Sequence, residues 1–434
     1  MRKKQYRSVP VKSVKISQVC SELAEGAVHV GVDVAKKSAL VVVRDSTGRF
    51  QRPWKVKQPD EVREVTELLK QLAEQRPLVV AMESTGTYGD ALRQALTDAG
   101  LAVHRVSAKA TFDYAEVFDG VPSNHDGKDA AIIAELAAIG KSTPWPMRQA
   151  STTAAQMQAD VQWMDTQQDI LRLWQGRLEA LMARHWPELL GVLGLGSVTL
   201  LRLLIHYGGP AGVAADAKAA ERFAAWGGRF LSANKIKEIV ETARTTVGVR
   251  MSEAEVQFVQ RCAAAALKAH RQVAACKRRL KKLAEQDSAV PQEVVKALGA
   301  ATACVLQVTV GDPRQFHCGD AYRKAMGLNL KERSSGKHQG KLKITKRGSS
   351  LARRWLYFAA LRGVQKAGVR PWFEAKKRKD QDRGTGAVVA VMRKLALAVH
   401  ASATRNEPLE WSRLFPGHRS RTAGVPWTPE TTAD

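Results

Sequence analysis

Asp33, Glu83, Asp126 and Asp129 are four carboxylates scattered along the first third of the chain, each placed where an α/β sheet would carry it to a shared edge. Gathered carboxylates repel one another unless cations offset their charge, so such a set implies one or two bound Mg²⁺ ions and phosphoryl-transfer chemistry. Singly, each acid has a plainer explanation: Asp33 can end a strand, Asp126 can cap a helix, and Asp129 can favour the helix dipole. All four together, each on the expected element, reverse that balance. Asp126 and Asp129 are three apart and project from one helix face.

A second chemistry is written near the other end. A loop from Leu328 to Lys346 carries Lys331, Arg333, Lys337, Lys341, Lys343 and Lys346 among glycines, with Arg347 next and Arg353 and Arg354 in the helix that follows. Glycines let backbone approach phosphate closely, and the cations neutralise it. The serines here, Ser334 and Ser335 with Ser349 and Ser350 beyond, are on composition alone turn formers or phosphate contacts. Arg353 and Arg354 read equally well as a solvated helix face.

Charge supplies the partner. The chain has 68 Lys+Arg against 42 Asp+Glu, a formal net charge of +26. Residues 28–145 hold 15 basic and 16 acidic side chains, whereas residues 289–405 hold 24 basic and 7 acidic. The excess is thus concentrated in the last third, where it attracts a polyanion and releases its counterions. Solubility alone needs a magnitude of only about 2 to 8 for a small domain.

The elements that must position the acids follow from periodicity. HVGVDVAKKSALVVVRD places Val28, Val30, Val32 and Val34 on one strand face, with Gly31 and Asp33 on the other. Strands are expected at Leu40–Val43 and through RFQRPWKV, then a helix through DEVREVTELLKQLAEQ, a buried strand LVVAM with Glu83 at its exit, and a helix from Tyr88. A strand at Leu101–Val106 and a helix through DAAIIAELAAIG complete an order βββαβαβα. That is a ribonuclease-H-like α/β arrangement, the first three strands antiparallel.

With 434 residues and 44% hydrophobic content, two or three domains are expected. The division reads as a basic arm at 1–27, the acid-bearing α/β domain at 28–148, a helical coiled-coil oligomerisation region at 149–288, a mostly α domain at 289–405 and a tail at 406–434. The segments 151–184 and 251–286 read as long helices, the second keeping spacings of three and four at Val256, Val259, Ala263, Ala266, Val273, Leu280 and Ala284. An antiparallel pair or two ordinary core helices both satisfy this pattern. LGLGS and ALGAA are glycine turns entering apolar helices, which suits a phosphate clamp or plain punctuation. Residues 2–15, with six basic side chains, are expected to stay disordered until they meet nucleic acid.

Five cysteines, odd in number and without a C-x-x-C pair, indicate neither a disulfide framework nor a zinc site and favour a reducing compartment. The basic start MRKKQYRSVPVKSVKISQ lacks an apolar h-region, so no leader is expected, and no stretch is expected to approach the roughly 18 apolar residues of a membrane span. A cytoplasmic protein, in the bacterial cytosol or nucleoid, is expected.

HVGVDVAKKS, VVAMESTGTYG and NHDGKDAAIIAEL resemble the three blocks of the DEDD transposases of insertion sequences, whose amino-terminal domain is similar to the Holliday-junction resolvase RuvC. The third block there commonly reads K-T-D-x-x-D-A, and this chain has Asn124 and His125 before the acids. The segments Gly327-Leu328-Asn329-Leu330, Ser335-Gly336 and ITKRGSSLARRWL resemble the family's carboxyl-terminal block, with Leu330 for the usual Pro and Ser349 for the usual Asn.

This resemblance implies a DNA recombinase that mobilises an insertion sequence. Ser335 becomes the nucleophile forming a phosphoserine–DNA link, and the two halves of the active site come from different subunits of a homo-oligomer, a dimer or tetramer. A noncoding bridge RNA, a structured guide, would pair with double-stranded donor and target DNA. Two other readings stand beside it: a Mg²⁺-dependent junction nuclease with no covalent step, and a non-catalytic RNA- or DNA-binding protein on the same fold.

Overall fold

The structure, a computed structural model, describes residues 7–84, 86–121, 125–147, 150–332, 342–381 and 384–415. It divides into two compact units, 1–149 and 150–434.

The first unit is built on a seven-stranded sheet. Its strands are β1 (Val9–Pro10), β2 (Val28–Val34), β3 (Ser38–Arg44), β4 (Trp54–Lys57), β5 (Leu78–Glu83), β6 (Ala102–Val106) and β7 (Thr143–Pro144), in the order β1-β4-β3-β2-β5-β6-β7. Strands β2, β3 and β4 form the expected antiparallel meander, whereas β5 and β6 run parallel to β2. The helices are α1 (Ile16–Glu22), α2 (Val62–Gln75), α3 (Asp90–Asp98), α4 (Ala108–Asp119) and α5 (Asp126–Ala138). Val30, Val32, Val41, Val43, Val65, Leu69 and Leu72 bury the face shared by the sheet and α2, as alternation along the strands and helical spacing along α2 require.

Two features differ from the sequence reading. The basic arm is folded from Val9 onward: β1 pairs with β4, and Val11, Ile16, Val19 and Leu23 are buried in the sheet's core. Those four apolar side chains outweigh the charges around them, which stay at the surface. The second is α4, an added helix between β6 and α5 whose inner side, Thr111 and Ala115, is buried.

The second unit is helical. Helices α6 (Thr152–His185) and α12 (Glu253–Gln286), each of 34 residues, run antiparallel: Asp160 bonds Arg279 near one end and His185 faces Glu255 near the other. The pairing is intramolecular, and Val259, Ala263, Ala266, Val273, Leu280 and Ala284 are buried as their spacing predicts. Between them α7 (Leu189–Val192), α8 (Val198–Tyr207), α9 (Pro210–Ala215), α10 (Ala219–Gly227) and α11 (Ala233–Thr245) form a small bundle around Leu200, Leu204 and Phe223, a core shared with the near ends of both long helices. The LGLGS turn leads into α8, whose cap is Ser197, and Gly299 of ALGAA takes a φ of 88° where two helices meet.

A separate core lies at the opposite end of the α6–α12 pair. It gathers α13 (Gln292–Leu298), α14 (Ala300–Thr309), α15 (Gly319–Ala325), a hairpin of β8 (Leu330–Lys331) with β9 (Lys343–Ile344), α16 (Ser350–Gly363), α17 (Arg370–Lys379), α18 (Gly384–Arg405) and α19 (Trp411–Leu414). The tail contributes to it: Leu409 and Phe415 are buried there, while residues 416–434 lie outside the described residues. By length and composition α18 is long and apolar enough to cross a membrane, contrary to the expectation that no stretch approaches a span. More than half of its most apolar window is buried inside the unit, as in a core helix.

Candidate active site

Asp33 is the sixth residue of β2 and Glu83 the last of β5, neighbouring parallel strands whose Val32 and Met82 are in register. The two acids therefore leave the sheet at the same edge. Asp126 opens α5, and Asp129 follows within its first turn. What brings this helix down onto the strand is Gly31, two residues before Asp33. A Cβ there would stand 2.0 Å from the Ala130 carbonyl oxygen and 2.5 Å from the Ala134 nitrogen, so only glycine permits the contact.

Two further side chains fix the start of α5. His125 is its N-cap, the ring Nδ1 accepting from the Lys128 backbone N–H at 3.2 Å. The imidazole thus fills the capping role that the hydroxyl of the family's usual Thr would take. Lys128 is wholly buried, and its ammonium donates to Asp119 at 2.7 Å and to the Val121 carbonyl at 2.6 Å, tying the first turn of α5 to the end of α4.

Asp33, Glu83 and Asp129 are shifted by burial and by neighbouring charge. Burial, followed by the charges of Asp129, Asp126 and Glu83, pushes the Asp33 carboxyl up to about 6. Burial and the Asp129 charge raise Glu83, against the pull of a hydrogen bond from the Thr111 hydroxyl. Burial and Asp126 raise Asp129, opposed by His125 and Lys128. Each of these shifts comes first from burial, with like charge adding to it.

That donor set fits a hard divalent cation such as Mg²⁺, which takes carboxylate oxygens. Among the described residues no three His, Cys, Asp or Glu side chains close to coordinating distance as they stand.

In the second unit, Ser334, Ser335, Arg333, Lys337 and Lys341 lie outside the described residues, and the segments on either side of them pair with each other. Leu330 pairs with Ile344 and Lys331 with Lys343. Below that hairpin the Thr345 N–H donates to the Asn329 carbonyl at 2.7 Å, and that of Lys346 to the Gly327 carbonyl at 2.9 Å. Lys346 takes a φ of 56° and Gly327 one of 71°. Arg353 bridges the two stems, donating to the carbonyls of Met326 at 3.0 Å and Gly348 at 2.8 Å, and burial lowers its pKa. Arg393 donates to the Leu328 carbonyl at 3.1 Å. Arg354 pairs with Asp165 and, at 3.5 Å, with Asp169 of α6. Ser349 caps α16, accepting from the Ala352 N–H at 3.1 Å.

Two family models match the chain: a DEDD transposase model of the IS110 type over residues 30–187, and the model for transposases of the IS116/IS110/IS902 family over residues 293–378. Together they take in more than half of the residues, including all four acids and the loop base. The chain belongs to the IS110-type DEDD transposases. No curated protein matches it. The transposase is accordingly an enzyme of DNA strand transfer, and the two matched segments are those in which the acids and the basic loop were found.

Several groups that shape the transposase site escape a sequence reading. Thr111 touches Glu83 from α4, a helix that carries no motif. Lys128 sits between two acids of the third block and looks like a solvated cation, yet it is a buried clamp. Arg393 is far from the loop in sequence and meets it only because α18 packs against α15 and α16. Arg353 and Arg354, by contrast, were visible as cations, and the structure gives them protein carbonyls and carboxylates as partners.

Proposed function

We propose that this transposase is a site-specific DNA recombinase that mobilises an insertion sequence, using Asp33, Glu83, Asp126 and Asp129 to hold Mg²⁺ against the scissile phosphate and Ser335 as nucleophile. The observation that supports the reading is the delivery of Asp33 and Glu83 by the neighbouring strands β2 and β5, and of Asp126 and Asp129 by the first turn of α5, which Gly31 lets pack onto β2. The strand order of the first unit, a three-stranded meander continued by parallel strands, supports a ribonuclease-H-like, RuvC-like domain.

When bound, one or two Mg²⁺ ions would offset charge developing on the phosphate oxygens. The chain's own groups do the rest. Asp33 and Glu83 are fixed by strands, and Asp126 and Asp129 by a helix whose cap and buried lysine hold its first turn in place. The Ser335 hydroxyl attacks phosphorus, a bond from Oγ to phosphorus forms as one phosphorus–oxygen bond of the strand breaks, and the leaving oxygen takes up a proton while the hydroxyl loses one. Attack by another strand's hydroxyl reverses the exchange, so the link conserves bond energy.

The net charge of +26 supports a polyanionic partner. Family resemblance makes that partner donor and target DNA read through a structured bridge RNA, with the acids and the serine meeting in a homo-oligomer. Incubating the protein with DNA and Mg²⁺ tests the scheme: Ser335→Ala should bind DNA yet form no covalent adduct, and Asp33→Ala should break no strand. Undiminished cutting by Ser335→Ala would instead identify a hydrolytic nuclease. Sequencing copurifying nucleic acid tests guidance, since a discrete small transcript is expected and random fragments would exclude it.

A further inference from the structure

The hairpin β8–β9, the middle of α16, the end of α17 and the start of α18 enclose a groove of about 1200 Å³ within the second unit. Its floor is apolar, made by Leu330, Leu342, Ile344, Tyr357, Val389 and Met392. Leu330 and Leu342 are 39% and 59% exposed, large aliphatic side chains left open to solvent on a highly charged unit. Around that floor stand Lys331, Lys343, Lys346, Lys376 and Lys379. Among the described residues that line the groove the one carboxylate, Asp380, is already held by Lys376 at 2.6 Å. Among the described residues no carboxylate pairs with Lys343, Lys346 or Lys379.

Walls and rim divide the work. The guanidiniums of Arg353, Arg354 and Arg393 are engaged by carbonyls and carboxylates of the protein, so they build the groove, and the ammoniums of Lys343, Lys346 and Lys379 are left for a ligand. A cationic rim over an apolar floor with one aromatic ring matches a polyanion that also exposes flat apolar faces. A duplex offers its phosphates but keeps its base faces stacked, and would leave Tyr357 and the leucines uncovered. An unpaired strand satisfies both surfaces at once.

We propose that this groove holds an unpaired stretch of the DNA strand undergoing transfer, its bases lying on the apolar floor against Tyr357 and its phosphates following Lys343, Lys346 and Lys379. DNA is the assigned strand because strand transfer on DNA is the enzyme's activity. The proposal goes beyond the serine and carboxylate chemistry and does not require it.

The test uses the full-length Ser335→Ala protein without Mg²⁺, so that failure of the covalent scheme leaves the readout untouched. Binding of a fluorescent oligo(dT) of about 12 nucleotides should weaken about tenfold with Tyr357→Ala and scarcely change with Tyr357→Phe. Lys343→Ala together with Lys379→Ala should flatten the dependence of log affinity on log salt by about 1.4. A duplex of the same length should bind equally to both Tyr357 variants. Equal losses for duplex and single strand, or no loss for the single strand, would overturn the proposal. Tyr357-dependent binding of oligo(rU) without that of oligo(dT) would overturn the assignment to DNA. Should Tyr357→Ala fold poorly, photocrosslinking of an iododeoxyuridine oligonucleotide to the Ser335→Ala protein decides: the adduct is expected on the α16 peptide bearing Tyr357, and adducts only elsewhere would refute the site.

Discussion

Gly31 and Ala130 touch backbone to backbone: the position a Cβ would take on the strand residue lies 2.0 Å from the helix carbonyl oxygen. The acids at the start of α5 reach the acids of the sheet because of this contact. Gly31→Ala must lift the helix, at an overpacking cost of about 1–3 kcal/mol or more. Thermal unfolding should show a lower Tm, and strand breakage should fall further than the lost folded fraction explains. An alanine variant with wild-type Tm and activity would show that the helix is not held by this contact.

Asp33 is destabilising as an anion and needed as a ligand. Asp33→Asn removes one of four like charges from a partly buried site and keeps the shape of the side chain. In Mg²⁺-free buffer at neutral pH its Tm should therefore rise, while Mg²⁺-dependent strand breakage disappears. A lower Tm would mean that the carboxylate is paired rather than repelled.

Acidity should act on stability and activity in opposite directions. The folded-state value for Asp33 is raised to about 6 from an ordinary 3.8, so between those limits the folded protein binds more protons than the unfolded one. The Asp33 contribution to stability without metal then falls as pH climbs from about 4 to 6, with Glu83 and Asp129, also raised, adding to it, and with Asp45, Glu188, Asp216 and Glu255, held low by hydrogen bonds, opposing it; the Asp33→Asn variant isolates the site's share by difference. Mg²⁺ affinity must show the reverse trend, since protons compete for the same oxygens. Calorimetric titration of Mg²⁺ at pH 5 and pH 7.5 should give clearly weaker binding at the lower pH.

Arg353 separates a structural from a phosphate-binding role. Replacing it by Ala leaves the carbonyl of buried Met326 without its donor, at about 1–3 kcal/mol, and that of exposed Gly348 open to water at less cost. The expected result is a lower Tm and faster proteolysis within 331–343, with partial rescue by Arg353→Lys. The salt dependence of DNA binding should stay as it is. A slope reduced by about 1 would instead mark a lost phosphate contact.

Much of the first unit was legible because its signals are local. Alternating valines define β2, an apolar run ending in Glu83 defines β5, and the spacing of Asp126 and Asp129 places them on one turn. In the second unit the helix that carries Arg353 and Arg354, Ser350–Gly363, likewise follows from a local signal, the serine that caps it. The misses are of another kind. Helix α4 mixes aromatic, acidic and small residues with no clean stripe. Val11, Ile16, Val19 and Leu23 were hidden by the lysines between them, and Leu409 and Phe415 by the prolines that flank them. Lys128 and Arg353 show the limit most clearly, because composition reports a cation and only packing reports what it touches.

The paired helices α6 and α12 carry a constraint on how such enzymes can change length. Each spans about 50 Å at 1.5 Å per residue, and each ends in a different core, one around Leu200 and Phe223, the other around Tyr322 and Leu356. One residue added between Met164 and Leu178 would swing one core by about 100° relative to the other and slide it by 1.5 Å. Only matched insertions on both strands of the hairpin, in steps near seven residues, return every side chain to its own face. Relatives with longer or shorter arms should therefore differ by such paired steps, so that the spacing between the tip bundle and the serine-bearing lobe changes like notches on a ruler.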